Sequence, residues 1–93
     1  MGLNLSIMTQ NYREHPEWSS ERRAGDREVA VYLADADGTV TITVGGDYGL
    51  FRPSDIRAKL HEMNRLAGCN FDRWEQLATI LENEPDYWLH IGW

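Results

Sequence analysis

At 93 residues the chain suffices for one domain, and a domain this small buries only roughly 60–65% of its unfolded surface, which argues against a deep active-site cavity. Its 42% apolar and 26% charged residues exclude a disordered chain, and a net charge of −6 excludes general nucleic-acid affinity while suiting a basic partner. The one cysteine, Cys69, cannot form an intramolecular disulfide. No apolar run reaches ~18 residues and no basic-then-apolar leader is visible, so a cytoplasmic protein away from membranes is expected.

Leu3, Leu5 and Ile7 alternate with Asn4, Ser6 and Met8, which predicts a short first strand. Residues 10–27 show no period and carry Pro16 and Gly25, so a long loop is expected, with room for a short helix over 17–24. Val29, Val31 and Leu33 alternate, and Val40, Ile42 and Val44 do the same between threonines. With Asp37-Gly38 between them, a dipeptide that tolerates the positive φ angles of tight turns, these two runs predict a β-hairpin.

Gly45-Gly46-Asp47-Tyr48-Gly49 is a flexible connection, after which Pro53 or Ser54 opens a helix. Ile56, Leu60, Met63 and Ala67 recur at helical spacing, and Gly68 marks its stop. Asn70 or Asp72 caps a second helix with the stripe Trp74, Leu77, Ala78 and Leu81, and Asp72-Arg73-Trp74-Glu75 resembles a capping box. Pro85 ends it. The last seven residues alternate strictly, placing Tyr87, Leu89, Ile91 and Trp93 on one face of a strand and Trp88 and His90 on the other.

The expected fold is α+β: a mainly antiparallel four-stranded sheet with two helices packed on one face, in the order β-loop-β-β-α-α-β, within a single domain spanning 1–93. The uncovered sheet face would then carry Tyr32, Thr41, Trp88 and His90. Amphipathic aromatics give large contact area at low entropic cost, so this strip, with Trp18 capping its edge, is the expected partner-binding surface. The competing expectation is that residues 10–27 fold across the strip and Trp18 fills the space. A homodimer burying the strip against itself is a further possibility.

Chemistry is sparse. Asp35-Ala36-Asp37-Gly38 looks like part of a calcium loop, but Leu33 and Val44 stand where its first and twelfth ligands belong. His15, His61, Cys69 and His90 show no close metal-ligand spacing, so no metal and no cofactor is expected. Glu82, Glu84 and Asp86 cluster without a partner that would make them catalytic, and no Ser or Cys sits in a nucleophile elbow. Arg13, Arg22, Arg23 and Arg27 are interleaved with acids, which points to local pairing on a solvated loop.

These observations lead to the expectation of a non-catalytic protein that binds another protein. The small, acidic, Trp-rich, single-cysteine character is similar in a general way to accessory proteins of phages and bacteria, including inhibitors and immunity proteins, by composition rather than by motif. The alternative is a small-ligand binder, in which a nucleotide or other anion meets Gly45, Gly46, Tyr48 and Arg52 at the entrance to the first helix.

Overall fold

The two alternating segments near opposite ends of the sequence pair with each other. The computed structural model describes residues 4–37 and 50–92, without the side chains of 35–37. Strand β1 (Asn4–Thr9) and strand β2 (Tyr87–Gly92) run antiparallel, with Leu5 opposite Ile91, Ser6 opposite His90, Ile7 opposite Leu89 and Met8 opposite Trp88. Period two does what it must: Leu5, Ile7, Leu89 and Ile91 are all fully buried on one face. Each contributes about 1.5–3 kcal/mol of burial, and together they close the sheet onto the helices.

Among the described residues the expected four-stranded sheet is not formed; the sheet there has two strands, with three helices rather than two. Among the described residues, each edge is extended only by an isolated bridge. Beside β2, Phe51 exchanges backbone hydrogen bonds with Leu89, Phe51 N–H to Leu89 O at 3.0 Å and Leu89 N–H to Phe51 O at 2.8 Å. Beside β1, Met8 bridges Glu14, and the His15 N–H donates to Ile7 O at 2.8 Å. Further along the same edge, the Trp18 indole N–H donates to Leu5 O at 2.8 Å. The carbonyls of Leu5 and Ile7 that point away from β2 are therefore occupied, which blunts the edge against pairing with another chain.

The expected strand over 28–33 is instead part of helix α1 (Asp26–Asp37). The pattern there fits two periods. Read as a strand it would bury Val29, Val31 and Leu33; read as a helix it buries Val29, Ala30, Leu33 and Ala34. The second set is buried and Val31 is exposed. Alanines favour the helix, and two valines cost it only tenths of a kcal/mol. The hairpin built on Asp37-Gly38 fails on this side, because Asp37 ends a helix; its second strand, 39–44, lies outside the described residues, as do Leu3 and Trp93.

Helix α2 (Ile56–Ala67) and helix α3 (Phe71–Asn83) stand where expected, burying Ile56, Leu60 and Met63 and, on α3, Trp74, Leu77, Ala78, Ile80 and Leu81. The N-cap positions fall on expected residues, but the expected bonding does not follow. Asp55 and Asn70 occupy the N-cap positions without a side-chain cap bond, and Asp72 lies inside the first turn of α3, so the capping box is not formed. Asn70 instead donates through Nδ2 to Ala24 O at 2.6 Å, tying the turn between α2 and α3 to the entrance of α1. Helix α2 packs against both α1 and α3, while α1 reaches β1 and α3 reaches β2.

Residues 10–25 form no helix; the possible turn of helix over 17–24 is absent. The segment lies between the free edge of β1 and α3, held by His15, by Trp18 and by Gln76, whose Nε2 donates to Glu17 O at 3.0 Å.

Candidate functional site

The face of the sheet turned away from the core carries Met8, Trp88 and His90, all half-buried, with Asn4 exposed and Ser6 buried. Two neighbours from outside the strands complete it. Arg52 comes from the short bridge beside β2, and its guanidinium carbon lies 5.2 Å from the centre of the Trp88 ring. Tyr12 comes from the turn after β1 and meets His90 edge-on, with ring centres 5.9 Å apart and planes at 88°.

Tyr12 is 58% exposed and stands at φ 61°, a left-handed conformation that a bulky side chain seldom adopts. The turn enforces it. Tyr12 N–H donates to Thr9 O at 2.9 Å, Thr9 N–H to Arg13 O at 2.9 Å, and Arg13 N–H to the Thr9 hydroxyl at 3.2 Å. Between this turn and the start of β2 runs a groove of about 520 Å³, lined by Thr9, Gln10, Asn11 and Arg13 on the turn side and by Pro85, Asp86 and Trp88 on the other.

Arg52 is turned toward backbone carbonyls. It donates through Nη2 to Pro85 O at 2.9 Å and also to the carbonyls of Tyr87 and Leu81, the last in the final turns of α3. It thus fastens the α3–β2 connection and lies over the Trp88 ring. The remaining residues of the alternative anion site, Gly45, Gly46 and Tyr48, lie outside the described residues, as does Thr41 of the binding strip.

The structure brings Trp88 and His90 together as period two requires. It separates the other two. Trp18 is 5% exposed and belongs to the core, its indole N–H bonded to Leu5 O and its ring 4.2 Å from the Arg73 guanidinium. Tyr32 sits on α1, half-buried against the core and beside the exposed Val31. Tyr12 takes the place of Trp18 on the face; nothing in its sequence context signals a tyrosine held at positive φ over a distant histidine.

The titratable residues scatter. Glu82 Oε1 accepts from Arg57 at 2.7 Å on the α2–α3 surface, and Arg57 holds the Glu82 carboxyl below the usual carboxylate range through that hydrogen bond. Glu84 instead accepts from the buried His15, and Asp86 lines the groove. Among the described residues, Arg13, Arg22, Arg23 and Arg27 form no ion pair, and no group of three His, Cys, Asp or Glu residues is placed to hold a metal. No helix of the described residues is long and apolar enough to cross a membrane.

No protein-family model, curated protein or solved structure matches the chain.

Proposed function

We propose that the protein is a non-catalytic binding protein that engages a protein partner through the outer face of the β1–β2 sheet. The observation that carries this reading is the Trp88 ring, half-buried on that face with the Arg52 guanidinium over it. An aromatic held in this way at the rim of a groove has the character of an interface anchor: it offers apolar area without the entropic cost of ordering a free side chain. His90 and Tyr12 extend the same surface with polar tips that set register. An inhibitor or immunity-type accessory role suits a small acidic protein acting this way. The anion-binding alternative gains little from Arg52, whose two Nη atoms both donate to carbonyls of its own chain.

The test is affinity capture from the source organism with wild-type, Trp88→Ala and Tyr12→Ala baits of matched circular dichroism and melting temperature. Loss of a specific captured protein with Trp88→Ala, equivalent to about 2 kcal/mol or more of binding, supports the reading. Undiminished capture by both variants refutes it.

A further inference from the structure

His15 stands where the segment before α1 meets the sheet, and the hydrogen bonds of its buried ring leave no vacant place for a second proton. Nε2 lies 3.1 Å from the Glu84 carboxylate, and Nδ1 accepts the Glu17 N–H at 3.1 Å. With the ring proton on Nε2, a further proton can only go to Nδ1. There it meets the Glu17 N–H, donor against donor, while the bond from Nε2 to Glu84 becomes charge-assisted and stronger. Turning the ring over relieves the conflict only by giving up Glu84, and the ring is packed edge-on against Tyr87 with centres 4.6 Å apart. The chain has to give instead.

The turn beside the ring provides the means. Pro16 and Glu17 are its central residues. The Pro16 C=O and the Glu17 N–H share one peptide plane and point in opposite directions. A half-rotation of that plane carries the N–H away from Nδ1 and brings the carbonyl oxygen toward it. Among the described residues the Pro16 carbonyl accepts no other hydrogen bond. The Glu17 carbonyl, held by Gln76 at 3.0 Å, belongs to the next plane and stays. The cost falls on Glu17. Its φ is not positive now, and the rotation gives it the positive φ of a type II turn, where proline suits the preceding position and glycine is preferred at this one.

The charges around the ring suit a cation. Glu84 faces it from the α3–β2 connection, with Arg52 Nη2 3.5 Å from the Glu84 main-chain oxygen. Strand β2 presents Tyr87, β1 carries no titratable side chain, and the segment itself contributes Glu14 and Glu17.

We propose that His15 is a pH-sensitive switch on the Pro16–Glu17 turn: on taking up a proton the ring keeps Glu84 and exchanges the Glu17 N–H for the Pro16 carbonyl. Histidine ordinarily changes charge between about pH 5 and pH 8. The next residue is Trp18, whose indole caps Leu5 O, so the rearrangement lies against the cover of the β1 edge. The proposal is independent of the reading of the outer sheet face.

A nuclear magnetic resonance titration of the full chain from about pH 8 to pH 5 tests it. The His15 ring carbons, the Glu17 amide and the Pro16 carbonyl carbon should move with one midpoint, and the Glu17 amide should lose about ten-fold in hydrogen-exchange protection. Glu84→Gln should lower the midpoint, because the compensating carboxylate is gone. Glu17→Gly and Glu17→Ala remove the same carboxylate, but only glycine tolerates positive φ without strain, so the midpoint of Glu17→Gly should lie about one pH unit above that of Glu17→Ala. A ring that titrates while the Glu17 amide and Pro16 carbonyl stay still overturns the proposal. So does a ring that stays neutral throughout, or a Glu17→Gly midpoint no higher than that of Glu17→Ala.

Discussion

The Arg73 guanidinium grips both oxygens of the fully buried Asp26 carboxylate, Nε to Oδ1 at 2.9 Å and Nη2 to Oδ2 at 2.8 Å. Asp26 Oδ2 also accepts the Arg23 N–H at 3.1 Å, and Arg73 lies against the Trp18 ring, so one pair joins α1, α3 and the long segment between β1 and α1. Because both groups are desolvated, removing one leaves the other stranded. Asp26→Ala and Arg73→Met should each cost about 3–5 kcal/mol. The double variant should cost clearly less than the sum of the two, since no unpaired charge remains. Urea denaturation of the four proteins measures the coupling; additive losses would mean that the pair is not the joint described.

His15 is buried with both ring nitrogens in use. The Glu17 backbone N–H can only donate, so Nδ1, 3.1 Å away, must accept; the ring proton therefore sits on Nε2, which donates to the Glu84 carboxylate at 3.1 Å. The ring also stands edge-on to Tyr87, with centres 4.6 Å apart. Glu84→Gln keeps an acceptor for Nε2 and should cost less than about 1 kcal/mol, whereas His15→Phe keeps the ring and loses both hydrogen bonds, at about 2 kcal/mol. Nitrogen-15 shifts of the imidazole near neutral pH should show the Nε2–H tautomer. A dominant Nδ1–H form would contradict the arrangement.

How far these relationships can be read from sequence depends on their range. Helices α2 and α3 and strand β2 carry one unambiguous period each, and all three are present close to their expected bounds. The same alternation put Trp88 and His90 on the face away from Leu89 and Ile91. Helix α1 was not legible because Val29-Ala30-Val31-Tyr32-Leu33 satisfies both a two-residue and a helical period, and only tertiary packing chooses between them. Between a partner-facing and a space-filling Trp18 the sequence does not choose, for a different reason. Its partners, Leu5 O and Arg73, are set by chain folding over long separations, and no local pattern distinguishes a tryptophan that seals a sheet edge from one that faces a partner. Its truncation to alanine should accordingly unfold the protein rather than weaken binding selectively.

Gly25 and Gly68 both adopt positive φ, at 89° and 74°, but only one is hemmed in. A Cβ on Gly25 would lie 2.8 Å from the Ala67 Cβ and 2.9 Å from its Cα, a clash with the backbone at the end of α2 that no side-chain rotation relieves. A Cβ on Gly68 meets nothing within 4 Å. Gly68→Ala should therefore cost only backbone strain, about 1–3 kcal/mol, because φ 74° with ψ −119° lies outside the left-handed helical well in a region that favours glycine. Gly25→Ala adds overpacking of about 1–3 kcal/mol to a positive-φ strain of its own and disturbs the α1–α2 contact. Thermal unfolding should rank Gly25→Ala well below Gly68→Ala. Equal melting temperatures would show that α1 and α2 do not approach this closely.

Arg57 on α2 reaches two carboxylates of α3, Glu75 at 2.6 Å and Glu82 at 2.7 Å, and donates to the Thr79 hydroxyl at 3.3 Å. The hydrogen bonds that Arg57 donates to Glu82 and Glu75 push its guanidinium pKa up, and the bond to Glu82 lowers the Glu82 carboxyl. Glu62 is lowered in the same way by its hydrogen bond from Arg65. A carboxyl depressed in the folded state stabilises fully above its unfolded pKa, roughly 4.3 for Glu, and loses that contribution as pH falls through the folded value. The melting temperature should thus fall as the pH drops below about 4. Arg57→Gln should flatten this acid limb by lowering the melting temperature near neutrality and not at low pH, a small effect because all these groups are exposed and screened by solvent. Added salt should flatten the wild-type limb toward that of the variant. An acid limb of the same steepness in both proteins would show that Arg57 does not hold α3 through these carboxylates.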